Sequence, residues 1–175
     1  MTLRIIKITK YKKSAFDKIV DKISLSVKPL NDYLKRFAYI HTESGLYITY
    51  FLERSSDNFE KDVDRIGYIS FSQSLVETNL NEAKKYLEIS PSLKYPIPVL
   101  KISRLAVFDK FQKQGYGKLF IAYAEILAFI EQNTSGCKAL AVDSKQTAIK
   151  FYKSANFIKI QDYNEKELIT TAPLN

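Results

Sequence analysis

The chain has 175 residues, 46% hydrophobic and 13% aromatic, so it can bury a core and is too apolar to be disordered. Its formal net charge of +8 points to anionic partners such as nucleic acid or an acidic cofactor. Cys137 is the only cysteine, which excludes an internal disulfide framework and suits a reducing cytoplasm.

The N-terminal MTLRIIKITKYKK has too short an apolar run for a signal peptide. Leu119 to Ile130, interrupted by Glu125, is too short for a membrane span. A soluble cytoplasmic protein of one domain, residues 1–175, is expected. Leu3 to Thr9 alternates as a first strand, and Ser14 to Ile23 reads as a short helix with Phe16, Ile19, Val20 and Ile23 on one face. Pro29 opens a second helix, whose stripe is Leu30, Tyr33, Leu34, Phe37, Ala38 and His41 and whose end is Gly45. Lys35 and Arg36 fall on its other side. Leu46 to Leu52 and Ile66 to Ser72 are β-branched and aromatic strands, joined by the polar linker RSSDNFEKDVD.

Asn81 to Glu88 reads as a short helix in the connection that ends at Pro96 and Pro98, and Val99 to Val107 is the clearest strand. A helix from Lys118 to about Gln132 is apolar around most of its surface and is expected to be buried. Lys138 to Val142 reads as a strand, Thr147 to Ser154 as a helix and Phe157 to Gln161 as a last strand. The second half is thus an α/β arrangement on a mixed sheet.

Two of the chain's five glycines fall in FQKQGYGK, residues 111–118, between the clearest strand and the long helix. A helix N-terminus carries N–H groups without intrahelical partners and favours negative charge, and glycines admit a phosphate to bare backbone. A Walker loop is excluded because Lys118 is followed by Leu119 and Gly115 lies two positions before Gly117. A dinucleotide fingerprint would need glycine where Phe120 stands.

What fits is Gln112-x-x-Gly115-x-Gly117 behind Arg104-Leu105-Ala106-Val107. Here the sequence resembles the GNAT acyltransferases, whose loop of this form holds the pyrophosphate of acyl-CoA. The segments ALAVD and AIKFYKSANF are similar to the family's later strand and helix, so the likeness covers roughly residues 97–160. The resemblance implies the GNAT fold, a central mixed twisted sheet flanked by helices. The earlier segments LNDYLKRFAYIHTESGLYITYFL, IGYISFSQSLVE and YPIPVLKISRLAV are similar to toxin-type members of bacterial toxin–antitoxin modules, which acetylate the α-amine of aminoacyl-tRNA. That subgroup implies tRNA, a cognate antitoxin and a homodimer as partners.

The resemblance implies acetyl-CoA as donor, with the pantetheine arm along Leu105, Ala106 and Val107. The pyrophosphate falls to the amides of Gln112, Lys113, Gln114, Gly115, Tyr116, Gly117 and Lys118, with Lys113 or Lys118 adding charge. Tyr152 matches the tyrosine that the family aims at the CoA sulfur as general acid. A phenol of pKa about 10 can protonate a thiolate whose acid has pKa about 8.5. Lys35, Arg36, Lys101 and Arg104 are candidate contacts for tRNA phosphates, and Arg104 matches an arginine of the toxin-type pattern.

Two positions depart from the family. Lys145 stands where a cofactor-contacting Asn is common, and Asn156-Phe157 replaces Gly-Phe after the tyrosine helix. Asn tolerates the left-handed conformation that ends a helix. His41, the only histidine, is read as structural, and no metal is expected.

No Asp or Glu lies between Ile97 and Phe108 or between Ile66 and Leu75, where many GNATs place a general base. A lysine or polyamine, of pKa about 10, needs that help, whereas an α-amine starts near about 8. This favours an aminoacyl ester as acceptor, although Glu43 or Glu77 could fold inward. A small-molecule or peptide amine is the alternative acceptor, and an acyl-CoA-binding module without catalysis is the reading from another class.

Overall fold

The computed structural model describes residues 2–55, 63–77, 85, 87–92, 94–163 and 166–170. Two compact units share the chain, Met1–Ser72 with Ser103–Phe120, and Gln73–Ile102 with Ile121–Asn175. The strands are β1 (Thr2–Lys7), β2 (Ile48–Ser55), β3 (Val63–Val76), β4 (Ile97–Val107), β5 (Ala139–Lys145), β6 (Ile158–Tyr163) and β7 (Lys166–Thr170). The helices are α1 (Lys13–Asp21), α2 (Lys28–Arg36), α3 (Ala38–Glu43), α4 (Tyr116–Thr134) and α5 (Ile149–Lys153). Most of the expected Asn81–Glu88 helix and the middle of the RSSDNFEKDVD linker lie outside the described residues.

In the first unit the strand order is β1-β2-β3-β4. β1 and β2 are antiparallel with Ile5 opposite Leu52, and β2 and β3 are antiparallel with Phe51 opposite Tyr68. Fully buried Phe16, Leu34, Phe51, Ile66, Tyr68 and Phe120 make the core. Their rings meet at 5.9 Å (Phe16 with Phe51), 6.5 Å (Phe51 with Phe108) and 6.4 Å (Tyr68 with Phe108). Gly67 on β3 lies tight against β4: a Cβ there would lie 2.2 Å from the Ala106 carbonyl oxygen. The missing side chain is what permits that approach.

The single helix expected from Pro29 to Gly45 is two helices. The chain breaks at Phe37 (φ −123°, ψ −30°), and Gly45 (φ +75°) follows α3. The break rotates the buried face onto Tyr33, Leu34, Ala38, Tyr39 and Thr42, so Phe37 points outward at 45% exposure. Tyr39 is thereby brought inside, where its hydroxyl donates to the Tyr11 carbonyl at 2.9 Å.

A register shift between Leu52 and Glu53 turns the Glu53 carboxylate inward, 2% exposed. Arg65 Nε donates to it at 3.0 Å and the Tyr11 hydroxyl donates to the same oxygen, while the Arg65 guanidinium lies over the Tyr11 ring. Burial, and then the bond to Glu53, push the Tyr11 phenol above its ordinary pKa. Arg65→Ala would strand a buried charge, a loss of ~3 kcal/mol or more, read as a lowered denaturant midpoint with unchanged slope.

In the second unit the order is β4-β5-β7-β6. β4 and β5 are parallel with Leu100 opposite Leu140, while β7 is antiparallel to both β5 and β6. The sheet is mixed, as the pattern of elements requires. Val76, Leu87, Ile97, Val99, Ala139, Ala141 and Ile160 form this unit's core cluster. α4 departs from its expected burial: Leu119, Ile126, Phe129 and Ile130 are 43 to 59% exposed. Only one stripe of this apolar helix, marked by Phe120, Ala124 and Ala128, is fully buried.

Candidate active site

The first unit carries the glycine loop. β4 ends in Leu105, Ala106 and Val107, and the Phe108 N–H donates to the Ile66 carbonyl at 2.9 Å, holding the strand end against β3. A 3₁₀ turn, Asp109–Phe111, follows and buries Phe111. Asp109 accepts from the Ser26 N–H at 3.0 Å and from its hydroxyl at 2.6 Å, pinning the turn. Gln112 Nε2 donates to the Val107 carbonyl at 3.2 Å and to Asp109 Oδ1 at 3.0 Å, so its side chain braces the turn from within.

Beyond Gln112, Lys113 (φ 61°) and Gly115 (φ 87°) lie in the left-handed region. Among the described residues no acceptor meets the N–H groups of Lys113, Gln114, Gly115, Tyr116 or Gly117. Lys118, whose N–H donates to the Gly115 carbonyl at 3.0 Å, closes the first turn of α4. These amides lack partners at the start of a 19-residue helix, whose dipole favours negative charge there.

The loop therefore has the donor set and sign for a pyrophosphate, and the exposed side chains of Lys113 and Lys118 stand beside it. A Cβ at Gly115 would meet nothing within 4 Å, so glycine is required there by φ, and the space over the loop is open to a ligand. Gly115→Ala is expected to cost ~1 kcal/mol of stability and to weaken acetyl-CoA binding about tenfold or more, read by calorimetric titration.

Arg54 was not visible from sequence, because a strand-end arginine in a polar linker carries no periodic signal. Its Nη1 donates to the Tyr116 hydroxyl at 3.3 Å, its Nη2 pairs with Asp64 at 2.6 Å, and its guanidinium lies 5.2 Å from the Phe111 ring centre. It thus ties β2 to both flanks of the loop. The Arg104 guanidinium lies over Tyr33, 3.7 Å from the ring centre, and 5.2 Å from that of Tyr47. Arg36 is exposed and Lys35 half-buried on α2.

The second unit carries Tyr152, Lys101 and Lys145. Tyr152 is 6% exposed, with Phe151 and Phe157 edge-on at 5.0 and 5.3 Å. Its carbonyl accepts from the N–H groups of Ala155 and Phe157, at 2.9 and 3.1 Å, closing α5 around left-handed Asn156 (φ 62°). The Asn156 substitution thus keeps the turn that glycine usually makes. Burial raises the Tyr152 phenol above its ordinary pKa, so it keeps its proton throughout the neutral range. Lys101 is paired with Asp143 at 2.6 Å, and Lys145 is exposed where β5 ends. Among the described residues no group of three or more His, Cys, Asp or Glu could hold a metal, and no helix is long and apolar enough to cross a membrane.

The family model of the acetyltransferase (GNAT) domain matches residues 59–159, more than half of the 175. The chain belongs to the GNAT acetyltransferase family. The matched span of this GNAT chain contains the glycine loop and Tyr152. Among curated protein sequences, none matches it.

Three solved structures show how far the GNAT fold extends. A tyrosine-to-phenylalanine mutant of KacT is 21% identical, with a TM-score of 0.81 over 99% of this chain and 96% of that one. AtaT complexed with acetyl-methionyl-tRNAfMet is 24% identical, with a TM-score of 0.76 over 96% and 94%. A tyrosine-to-phenylalanine mutant of the AtaT toxin bound to the C-terminus of the antitoxin AtaR is 23% identical, with a TM-score of 0.74 over 99% and 93%. These likenesses cover nearly the whole GNAT chain, including the segments before residue 59.

Proposed function

We propose that the chain transfers an acetyl group from acetyl-CoA to the α-amine of aminoacyl-tRNA, as a toxin-like inhibitor of translation built from one catalytic domain. The observation that carries this reading is the fold shared with AtaT in its acetyl-methionyl-tRNAfMet complex, along 96% of this chain. The carboxylate-free stretches of β3 and β4 support it, because an aminoacyl ester's weakly basic amine needs little help to lose its proton.

Acetyl-CoA supplies an activated thioester. The amides of residues 113–117 hold its pyrophosphate, and the backbone of Leu105, Ala106 and Val107 lines up the arm and polarises the carbonyl. Attack by the amine forms the C–N bond and the C–S bond then breaks. Tyr152 gives its proton to the departing sulfur, while the proton lost by the attacking nitrogen passes to solvent.

Arg104, Arg36 and Lys35 supply charge for the tRNA, and Lys145 adds a cation for the donor. Lys101, neutralised by Asp143, contributes least. A cognate antitoxin is the expected partner, in line with AtaT bound to AtaR, and a homodimer in the cytoplasm is the expected form. The exposed apolar stripe of α4 supports association of some kind.

Transfer of label from acetyl-CoA onto bulk charged tRNA, beside polyamines and peptides, tests the proposal. Label on charged tRNA supports it. Label on polyamines or peptides alone overturns the acceptor and leaves a small-amine or peptide acetyltransferase. Acetyl-CoA binding without label anywhere overturns catalysis itself.

A further inference from the structure

Six side chains of the first unit form one run of ring and cation contacts, stacked at Phe37–His41 and tilted where His41 meets Tyr33 and Tyr47. The Arg36 guanidinium lies 5.8 Å from the Phe37 ring centre, and Phe37 stacks on His41 at 5.7 Å and 24°. His41 meets Tyr33 at 5.8 Å and Tyr47 at 5.4 Å, and Arg104 closes the inner end on Tyr33. Cations bound the run at both ends. Among the described residues neither arginine has a carboxylate partner.

A ring cluster that served the core alone would be buried at both ends. This one is buried only at Tyr33, 4% exposed, and opens at Phe37, 45% exposed, beside Ile40 at 55%. The helix break at Phe37 is what turns that ring outward. His41 Nδ1, in the middle of the run, is buried without a hydrogen-bond partner, an unmet polar group next to the open end.

An exposed ring backed by further rings, with a guanidinium on its flank that no carboxylate neutralises among the described residues, has the chemistry of a site for single-stranded RNA. There bases stack on aromatic faces and phosphates meet cations. A peptide or polyamine would call for carboxylates instead.

We infer that Phe37, backed by His41 and flanked by Arg36 and Lys35, is the platform on which an unpaired base of the acceptor's 3′ end stacks. Arg104, against Tyr33, closes the inner end of the run and keeps its charge for the tRNA. This rests on the aminoacyl-tRNA reading and names the part of that substrate which the protein grips.

The test compares two acceptors, bulk charged tRNA and an amino-acid methyl ester, in the wild type, Phe37→Ala and Phe37→Tyr. In Phe37→Ala the KM for charged tRNA should rise about tenfold, with kcat and the methyl-ester KM unchanged, and Phe37→Tyr should restore it. In parallel, a short single-stranded RNA ending in 2-aminopurine should lose fluorescence on the wild type and on Phe37→Tyr, and keep it on Phe37→Ala. An unchanged KM for charged tRNA in Phe37→Ala overturns the platform, as does an equal rise for both acceptors. If the wild type labels no charged tRNA, the acceptor reading fails and the fluorescence decides alone. Quenching that depends on Phe37 then keeps the platform, and no quenching overturns it.

Discussion

Tyr152→Phe should lower acetyl transfer ~100-fold or more while leaving acetyl-CoA affinity nearly unchanged. The substitution removes one oxygen and keeps the ring packed between Phe151 and Phe157, so the fold survives. What is lost is the proton for the departing sulfur, and general-acid catalysis is worth roughly 10²–10⁴ in rate. Single-turnover rates with labelled acetyl-CoA, beside calorimetric binding, separate the two quantities. A loss of affinity equal to the loss of rate would assign Tyr152 to the packing of α5 alone.

The pH behaviour follows with a definite sign. Burial raises the folded-state pKa of Tyr152 above its ordinary value near 10, so the neutral phenol is the form the fold prefers. That contribution to stability is present in full below about pH 10 and is lost as pH rises toward the raised value. Thermal unfolding of the wild type should therefore weaken above about pH 10, and Tyr152→Phe should weaken less there. Tyr68, raised in the same direction by burial, keeps part of the effect in both proteins.

Gly67→Ala is the substitution expected to damage the fold most. Its new methyl would sit 2.2 Å from the Ala106 carbonyl oxygen, 3.0 Å from Val107 Cα and 3.1 Å from the Phe120 ring. Two of those neighbours are main chain and cannot swing away, so β3 and β4 would have to separate. Overpacking typically costs roughly 1–3 kcal/mol, and a clash with backbone belongs at ~3 kcal/mol or beyond. The chain has no tryptophan, so circular dichroism is the suitable probe of the lowered midpoint. Because Ala106 and Val107 also line the proposed thioester arm, acetyl-CoA affinity in the surviving folded fraction should fall as well. A midpoint within about 1 kcal/mol of wild type would show that the sheet yields there, against the rigidity of packed interiors.

Much of this is legible in the amino-acid sequence. Most of the strands carry β-branched or alternating patterns, α4 is a long apolar run, and glycine is scarce enough that two in one octapeptide mark a backbone site. The left-handed turn at Asn156 followed from the chemistry of that side chain. Other features depended on tertiary partners. The break at Phe37 goes with a bond from the Tyr39 hydroxyl to the distant Tyr11 carbonyl, which no helical stripe can reveal. β7 has the weak pattern KELIT and owes its place to pairing with β5 on one side and β6 on the other. Glu53 reads in sequence as a polar strand end, and a register shift of one residue buries it. Gly67 did leave a sign, since a glycine inside a strand pattern usually marks close backbone approach. For the site itself, the loop and Tyr152 could be named from motif letters, whereas Arg54 and the outward turn of Phe37 required the fold.

The donors of the glycine loop are main-chain amides, which have no titration of their own in the neutral range and belong to no particular side chain. Affinity for a pyrophosphate should consequently stay level across neutral pH wherever the ligand's own charge does. A saturation library over residues 113–117 should look lopsided. Exposed Gln114 should accept most exchanges, Tyr116 fewer because its hydroxyl accepts from Arg54, Gly115 almost none, and Lys113, left-handed without being glycine, should gain stability from Gly or Asn. The binding information is written in dihedral angles, with the letters serving only to allow them.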